Sequence, residues 1–392
     1  MVLWDFIGKR FAYKVKTEFI MLKVVFPIFC ILGIKNISAQ SKKETKVFIE
    51  DSVRVAITSR YTDVPLYQRL LMGKNYRKTW NTVVKFPVFY LSKSQFQIDS
   101  LGGSKQTTSL YLKDNNNRVW VLRSIDKDVE KGIPGIVRNT PFRGYKQDLI
   151  SGAYPYAALI VSELAKSINI ITPDPVYFFV GDDEALGDYR SLFANTVCML
   201  ERRDPTPEGS PTDNTEDITD KIEKGENHKI IQKQFLKARL LDMIVGDWDR
   251  HEGQWRWGLI DSGAVNYYYP VPRDRDHALF FASGLVPSLM KLTFEPHLSG
   301  FKNKSTGLKR LNKKAVSLDK MFLNKLDHND WERTIRDVQK KMNDTVIEAA
   351  VNKLPSEILL ADGVAIKEKL KKRRDGLLIN VMDYYNYLFP KK

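Results

Sequence analysis

Short apolar runs separated by turn residues predict β-strands in residues 98–126. A strand over 109–112 is followed by Asp114 and three asparagines, residue types that favour a hairpin turn. The return strand over 119–125 carries Arg123 in its second half. This part of the chain therefore predicts an antiparallel β-sheet, with one cationic side chain on a central strand.

Apolar residues at helical spacing predict a helix over 151–168, with one apolar face and with Pro155 in the first turn, where its missing N–H costs nothing. Two apolar runs follow it, at 176–180 and 193–200, and each is short enough to predict a strand. Strands thus resume after the helix, which predicts a mixed rather than an all-β first half.

Two further segments predict helices. Residues 66–80 have a helical pattern despite Gly73. Residues 230–245 are apolar nearly all round in their second half, which predicts a buried helix. A charge inside such a helix needs a partner, so we expect Arg239 and Asp242 to pair with each other or with the loop beyond.

The rest of the chain predicts a hairpin over 259–271 and mainly helices over 318–388. Residues 203–227 are rich in Pro, Asp, Glu, Gly and Thr, which predicts a mobile surface insertion.

The order of these elements predicts an α+β protein with a small mixed β lobe followed by a mainly helical lobe. The predicted divisions are an N-terminal segment at 40–97, the β lobe at 98–201, the insertion at 202–228 and the helical lobe at 229–392.

Residues 21–39 have the features of a secretory signal: the basic flank Lys23, an apolar run over 24–34 and small residues before Gln40. That run is too short for a comfortable membrane span. We therefore expect cleavage after Ala39, although a buried N-terminal helix is the alternative.

Met21 is a second candidate start, which would make residues 1–20 an over-extended beginning. An exported chain would be periplasmic or associated with the envelope of a Gram-negative cell. The cleaved chain keeps only Cys198, so it cannot form an internal disulfide.

Composition and charge narrow the class of partner without choosing one. Hydrophobic residues make up 43% of the 392-residue chain and charged residues 28%, which excludes a disordered or fibrous protein. The net charge of +15 suits an anionic partner such as a nucleotide, an acidic protein or a lipid surface. A basic soluble protein with no such partner has the same charge. Aromatic and basic residues are not interleaved, so no nucleic-acid partner is predicted.

Two short segments on either side of the predicted hairpin concentrate acidic residues. They are the first acidic segment, residues 246–254 with Asp247 and Asp249, and the second acidic segment, residues 272–277 with Asp274 and Asp276. One such carboxylate can take a proton from an attacking hydroxyl, and another can hold the divalent ion that neutralises phosphate oxygens. The alternative is a buried turn in which Arg250, Arg273 and Arg275 compensate the carboxylates.

The run Asp249-Arg250-His251-x-x-Gln254 resembles the Asp-Arg-His-x-x-Asn catalytic loop of the phosphoinositide-kinase group. It is also similar to the Asp-Arg-His loop of secretory-pathway protein kinases. The resemblance implies that Asp249 is the catalytic aspartate and that Arg250 and His251 belong to the catalytic motif. Gln254 stands where those kinases place a metal-binding asparagine, and its longer side chain departs from the family pattern.

The second acidic segment begins Pro-Arg-Asp-Arg-Asp and looks like the Pro-Trp-Asp-x-Asp segment of CotH-type spore-coat kinases. That resemblance implies a metal-binding aspartate at this strand end. Asp276 is favoured because His277 and then small and aromatic residues follow it, and Asp274 stays the alternative.

The same resemblance implies a nucleotide site in the β lobe. Gly102, Gly103, Ser104 and Lys105 form the candidate phosphate turn. Arg123 stands where kinases place the lysine that grips the phosphates, although Arg at that position is unusual.

Two other residues bear on the nucleotide site. Lys127, like Lys105, is a candidate substitute for the missing lysine. Asp148 is the favoured acidic partner of Arg123, because Glu163 falls on the polar side of its helix. The alternative for Asp148 is a helix-entry residue near Ser151.

The function indicated is a metal-dependent, kinase-like phosphotransferase that acts outside the cytoplasm. It would use ATP or another nucleotide with Mg²⁺ or Mn²⁺, and an unknown protein, lipid or glycan acceptor. The alternatives are a kinase-fold binding module of the cell envelope without turnover, or a metal-dependent phosphoesterase. The spacing of a zinc protease and a Gly-x-Ser-x-Gly nucleophile elbow are both absent from the sequence.

Overall fold

The computed structural model of the chain describes residues 47–49, 51–103, 107–132, 141–207, 209–225, 227–293, 295, 298, 300–303 and 307–390. The predicted signal at 1–39 and the turn residues Ser104 and Lys105 lie outside this part of the chain.

Eight strands form the main sheet, in the order β1-β2-β3-β7-β8-β6-β5-β4. Their bounds are β1 Val47–Ile49, β2 Ser52–Val55, β3 Val84–Phe89, β4 Gln97–Gly102, β5 Ser109–Lys113, β6 Val119–Ser124, β7 Val176–Val180 and β8 Val197–Arg202. Only β3 and β7 pair in parallel in this sheet, and the other neighbours are antiparallel. The predicted N-terminal segment thus contributes β1–β3 to the same sheet as the β lobe.

A second sheet of four strands has the order β10-β12-β11-β9. The strands are β9 Asp213–Asn214, β10 His228–Ile230, β11 Trp255–Asp261 and β12 Asn266–Pro272. β11 and β12 form the predicted hairpin, with Trp255 paired to Pro272. The two ends of this hairpin therefore lie side by side, which brings the two acidic segments together.

The described α-helices are mostly C-terminal. They are α1 Leu66–Met72, α2 Arg77–Trp80, α3 Pro141–Leu149, α4 Ala157–Ser167, α5 Arg190–Phe193, α6 Thr215–Lys224, α7 Gln232–Val245, α8 Leu285–Thr293, α9 Leu308–Leu311, α10 Val316–Phe322, α11 His328–Lys341, α12 Asp344–Val351, α13 Ser356–Asp375 and α14 Leu377–Leu388. Helix α7 lies at the centre and contacts α4, α11 and α13. In the described part of the chain, none of these helices has the length and apolarity needed to cross a membrane.

One apolar core joins the inner face of the main sheet to the helices. It contains Phe86 and Phe179 from the sheet, Ile160 from α4 and Leu240 from α7. Residues on the other sheet face, including Leu110 and Leu122, form a smaller core of their own. The α+β class, with a β-rich part followed by a mainly helical part, is confirmed.

The structure corrects the boundaries of two predicted helices and one predicted strand. The helix predicted over 66–80 is broken into α1 and α2 at Gly73, which has φ +93° and packs so close to Ser283 that a side chain would clash. The helix predicted from residue 151 begins at Ala157, after a 3₁₀ turn at Ile150–Gly152. The strand predicted from residue 193 begins at Val197, because Phe193 ends α5.

The segment at 203–227, predicted as a surface insertion, contains regular secondary structure. Its centre is β9 and the amphipathic helix α6, capped by the Asn214 side chain, which accepts from the Asp217 N–H at 2.9 Å. Ile218 is buried, and the Trp257 indole N–H donates to Thr215 Oγ1 at 3.1 Å. The polar composition hid one apolar face that docks on the hairpin.

Candidate functional site

The first acidic segment leaves helix α7 through a sharp turn. Gly246 has φ 71°, in the left-handed region, and the N–H of Asp247 donates to the Asp242 carbonyl at 2.9 Å. From α13, the buried Arg373 guanidinium donates to the carbonyls of Met243 and Ile244, at 2.6 and 2.5 Å. The last carbonyls of α7 are thereby satisfied, so the loop starts from a rigid point.

Buried ion pairs lie beneath the loop. Asp242 Oδ2 accepts from Arg239 Nη1 at 2.8 Å and from Arg250 Nε at 3.2 Å, while Asp242 Oδ1 lies 3.1 Å from Arg275 Nη2. Burial alone would raise the pKa of Asp242, but the three arginines outweigh it and the pKa falls below its usual value. The predicted pairing of Arg239 with Asp242, and of Asp242 with the loop, is confirmed.

The buried Arg250 side chain links the two acidic segments through hydrogen bonds to their backbone carbonyls. Its guanidinium donates to the carbonyl of Arg273 at 2.7 Å and to that of Gln254 at 3.1 Å, and it lies over the Trp255 ring at 4.6 Å. The Arg273 N–H also donates to the Gln254 carbonyl at 3.0 Å. Arg250 is fully buried. Its contacts make it a support for the loop rather than a residue at its surface.

Asp249 occupies the tip of the loop and is partly exposed. Its Oδ1 accepts from Lys314 Nζ at 2.5 Å, and Nε2 of both His251 and His277 lies 3.9 Å from its Oδ2. Burial raises the pKa of Asp249, but the interactions with His277 and with the Lys314 ammonium outweigh it, so the pKa lies below its usual value. Asp249 is therefore ionised at neutral pH.

Asp247 lies deeper than Asp249. Its Oδ1 accepts from the Asp249 N–H at 3.1 Å, and its Oδ2 lies 3.7 Å from Arg250 Nη1. Burial is the main cause that raises the pKa of this carboxyl group, and the charge of Asp242 adds to it. The Asp247 side chain thus holds the backbone that carries Asp249.

Asp274, in the second acidic segment, joins the helical part of the protein to the main sheet. Its Oδ1 accepts from Arg123 Nη1 at 2.6 Å, and Arg123 Nη2 lies 3.4 Å from Glu201 on β8. Asp274 has φ 53°, a left-handed conformation that Asp tolerates better than most residues. Burial raises the pKa of Asp274, but Arg123 and Lys127 outweigh it, so the pKa lies far below its usual value.

Asp276 contacts a different cation, Lys127, which follows strand β6. Among the described residues, its Oδ1 is buried without a hydrogen-bond partner, and His277 Nε2 is 3.6 Å away. Burial lowers the pKa of Lys127, and the charges of Asp274, Asp249 and Asp247 oppose that effect. One lysine from the sheet side thus lies among the carboxylates of both acidic segments.

His277 lies between Asp249 and Asp276 with its ring against Trp248, at 4.3 Å between ring centres. Burial is the main cause that lowers the pKa of His277 to about 4. The imidazole is therefore neutral at pH 7 and adds no positive charge to the cluster at that pH.

We expect the depressed pKa of His277 to make the folded protein acid-sensitive. The unfolded chain binds a proton near pH 6.5 and the folded one only near pH 4. Stability is therefore fully present above pH 6.5 and is lost as the pH falls towards 4, by up to roughly 3 kcal/mol. Urea unfolding at pH 7 and pH 5 measures this loss. His277→Gln should show a smaller loss than the wild type, and an equal loss in both would contradict the assignment.

The glycine turn predicted to bind phosphate lies at the Arg123 end of the main sheet. Across the strands, Gly102 pairs with Ser109, and Ser109 pairs with Arg123. Gly103 has φ +91°, and a side chain there would clash with the Thr107 carbonyl, so the turn requires glycine. Ser104 and Lys105, at its tip, lie outside the described residues.

Asp148 is not the partner of Arg123, which corrects the predicted pairing. Its carboxylate accepts two hydrogen bonds from Arg77, at 2.9 and 2.5 Å, and one from Gln68 at 2.8 Å. Arg77 and Gln68 both belong to the predicted N-terminal segment. They reach Asp148 because this segment packs against α3, which the local sequence pattern does not specify. The carboxylates beside Arg123 are instead Asp274 and Glu201.

Sequence patterns missed Lys314, Glu201 and the bridging position of His277. Lys314 comes from the turn after α9, and its ammonium also lies 4.6 Å from the Trp248 ring centre. A cluster of Lys and Arg at 309–314 was the only available signal, and it is typical of any solvated surface. Glu201 stands out only as an acid that follows four apolar residues in its strand, with a pKa raised by burial.

The cluster combines the ionised Asp249 at a loop tip with Asp276, whose Oδ1 has no hydrogen-bond partner among the described residues. Arg123 and Lys127 add positive charge from the main sheet. Such a set can orient a hydroxyl and compensate phosphate charge. Among the described residues, no group of three or more His, Cys, Asp or Glu is arranged to hold a metal ion.

A scan against protein-family models finds no match for this sequence, and a search of curated proteins finds none either. Solved structures with a similar fold include the Helicobacter pylori proinflammatory kinase CtkA, at 10% identity and TM-score 0.41, covering 76% of this chain and 99% of that chain. HipA of Shewanella oneidensis MR-1, solved with HipB and operator DNA, is similar at 11% identity and TM-score 0.38, covering 73% of this chain and 66% of that chain.

The Rio2 kinase of Chaetomium thermophilum, in a complex with ADP, Mg²⁺ and phosphoaspartate, is similar at 10% identity and TM-score 0.32. That likeness covers 82% of this chain and 84% of that chain. At such low identities and scores, the chemistry of this chain has to be read from its own residues.

Proposed function

We propose that the protein is a metal-dependent phosphotransferase of the kinase type. The observation that carries the proposal is the convergence of Asp249 and Asp276, from the two acidic segments, with Arg123 and Lys127 from the main sheet. Phosphoryl transfer depends mainly on positioning and charge compensation, and these are the groups that both tasks need.

We assign to Asp249 the role of binding the hydroxyl group of the acceptor substrate. It is ionised at neutral pH, and its Oδ1 is occupied by Lys314, which leaves Oδ2 to accept a hydrogen bond from an incoming hydroxyl. Trp248 and Asp247 hold the loop on its buried side. Asp249 would orient the hydroxyl and take its proton as the new bond forms.

The nucleotide phosphates are assigned to Lys127 and the turn at Gly102 and Gly103. Lys127 is favoured over Arg123 as the gripping cation, because Arg123 is already held between Asp274 and Glu201. An ammonium can move among phosphate oxygens more readily than a guanidinium that is fixed at both ends. Arg123 would then position Asp274 and add positive charge near the phosphates without contacting them.

A divalent ion is assigned to Asp276. Its Oδ1 is buried without a hydrogen-bond partner in the described part of the chain, and Gln254 and Asp274 are candidate second ligands. Mg²⁺ commonly uses one or two carboxylates and completes its shell with phosphate and water oxygens. When bound, such an ion would neutralise phosphate charge and align the phosphoryl group.

One observation favours a second candidate, a binding module without turnover. Asp249, Asp274 and Asp276 each contact a Lys or Arg, so the cluster is compensated without any ligand. The exported location and the protein, lipid or glycan acceptor stay part of the first proposal. A compartment poor in nucleotide would suit the second candidate.

A thermal-shift titration with nucleotides, with and without Mg²⁺ or Mn²⁺, separates these candidates. A ligand at 100 times its dissociation constant should stabilise the fold by ~2.7 kcal/mol. Metal-dependent stabilisation together with phosphoryl transfer supports the first proposal. Stabilisation without transfer, or none at all, supports the binding module, and release of phosphate from model esters would indicate a phosphoesterase instead.

We expect Asp276→Ala to remove the metal-dependent part of nucleotide binding, because Asp276 Oδ1 has no hydrogen-bond partner in the described part of the chain and so can bind an ion. Asp274→Ala should be milder in this respect, since its carboxylate is engaged by Arg123 at 2.6 Å. Calorimetric binding of Mn²⁺-nucleotide to the wild type and both variants measures the difference. Unchanged metal dependence in Asp276→Ala, with its loss in Asp274→Ala, would reverse the assignment.

A further inference from the structure

Three arginines without a carboxylate partner lie where the main sheet meets the second sheet. We define the arginine cluster as Arg203, Arg256 and Arg273. Arg203 follows β8, Arg256 is the second residue of β11 and Arg273 follows β12. In the part of the chain that the structure describes, none of the three guanidinium groups forms an ion pair or a hydrogen bond.

The strand register of the main sheet places Arg203 on the face that carries Arg123. Tyr111 of β5 pairs with Val121 of β6, and Val121 pairs with Glu201 of β8. The Arg203 guanidinium, two residues beyond Glu201, lies 5.3 Å from the centre of the Tyr111 ring. Side chains two residues apart on a strand share a face, so Arg123, two residues after Val121, lies on this face as well.

The other two arginines approach from the second sheet. Arg256 pairs across the hairpin with Val271, which is two residues before Arg273. The neighbours of Arg256 in β11, Trp255 and Trp257, pack in the apolar core against α7. Because successive side chains of a strand alternate, Arg256 lies on the opposite face of the hairpin.

Burial and mutual repulsion make these positive charges costly in the absence of a ligand. Burial lowers the pKa of Arg273, and the positive charges of Arg123 and Arg256 lower it further. The Glu201 carboxylate opposes this effect. The Nε atoms of Arg203 and Arg256 are buried without a hydrogen-bond partner among the described residues. Buried polar groups in folded proteins usually have partners, so a ligand that supplies acceptors would complete this site.

The acidic residues on the strands around the arginine cluster, and just beyond their ends, already have other partners. Their contacts are Glu201 with Arg123 at 3.4 Å, Asp274 with Arg123 at 2.6 Å, Asp99 with Lys113 at 2.5 Å, Asp213 with Lys221 at 2.7 Å, Asp261 with the Gly263 N–H at 2.7 Å, and Asp204 with the Thr212 hydroxyl. The positive charge of the cluster is thus left for a ligand to compensate.

We propose that the arginine cluster is a phosphate-binding site, which goes beyond the proposed phosphoryl transfer and does not depend on it. Guanidinium groups bind phosphate through paired hydrogen bonds. A phosphate group offers three acceptor oxygens and about two negative charges, which guanidinium groups from two sheets can share. A carboxylate offers only two oxygens and one charge. A phosphate group therefore matches the cluster better than an acidic side chain does.

The test is calorimetry on the full chain in a phosphate-free buffer, with inorganic phosphate and tripolyphosphate as probes. Arg203→Gln with Arg256→Gln should weaken binding by on the order of tenfold for each arginine. The matched control is Lys113→Gln with Lys221→Gln, which removes the same charge from two lysines that already pair with carboxylates. The control should bind as the wild type does.

A second pair of variants separates paired hydrogen bonds from charge alone. Arg203→Lys with Arg256→Lys keeps both charges and should still bind several-fold more weakly than the wild type, because an ammonium lacks the fork of donors. Equal binding by this variant and the wild type would contradict the site. The lysine variant also keeps the test decisive if the glutamine variant does not fold.

The two probes distinguish the source of the phosphate. Tighter binding of tripolyphosphate would assign the site to a phosphate group of a longer substrate, and equal binding would assign it to the free ion; both results support the site. No binding of either probe, or an equal loss in the control variant, would overturn it. Retained binding without any phosphoryl transfer would refute the proposed function and leave the phosphate site standing.

Discussion

Asp249→Asn is expected to abolish phosphoryl transfer while leaving the protein folded and able to bind nucleotide. The amide keeps the shape of the carboxylate but cannot take a proton, and a positioned base contributes roughly 10²–10⁴-fold to such reactions. The side chain is at a loop tip, and the only hydrogen bond to its carboxylate in the described structure comes from Lys314. Its loss should therefore cost little stability. Transfer from labelled ATP, together with thermal shift by nucleotide, measures both expectations.

The matched control for that experiment is Glu252→Gln, the same chemical change at an exposed position of the same loop. It should retain activity within a few fold. If Asp249→Asn instead unfolds cooperatively at much lower denaturant than the control, Asp249 is a structural ion-pair partner. The first acidic segment would then be a compensated turn and not a catalytic loop.

Arg239→Met is expected to be the most destabilising single change, at roughly 3–5 kcal/mol. Arg239 is fully buried and donates to Asp242, Asp319 and Asn312, at distances from 2.6 to 3.2 Å. Its removal leaves Asp319, whose pKa burial already raises, with Tyr384 as its remaining hydrogen-bond donor. Urea unfolding followed by circular dichroism measures the change in the free energy of unfolding.

Lys237→Met provides the comparison for this prediction. Lys237 lies on the same helix and pairs with Asp337 at 3.0 Å near the surface, so its loss should cost less than about 1 kcal/mol. A cost for Arg239→Met as small as that of Lys237→Met would show that the buried network is not a net contributor. In that case the loop would depend on Arg250 and on the cap from Arg373.

The sequence alone was enough to predict the parts of the site that are close together along the chain. The apolar runs at β11 and β12 predict a hairpin, and a hairpin necessarily brings its two ends side by side. The Arg273 N–H accordingly donates to the Gln254 carbonyl, at 3.0 Å, where the two acidic segments meet. The pairing of Arg239 with Asp242 was also predictable from residues close in the chain. The two residues lie about one turn apart on a helix whose apolar pattern indicates burial.

Only the tertiary structure decided which distant cations meet these carboxylates. Arg123 reaches Asp274 across 151 residues of sequence, and Lys314 reaches Asp249 across 65. Many Lys and Arg side chains have equivalent local patterns, and the packing of the main sheet against the helices selects among them. Asp148 was placed wrongly for this reason, since α3 presents it to Arg77. Local patterns thus determine which residues share a strand, a helix or a turn, whereas partners far apart in the chain depend on how whole elements pack.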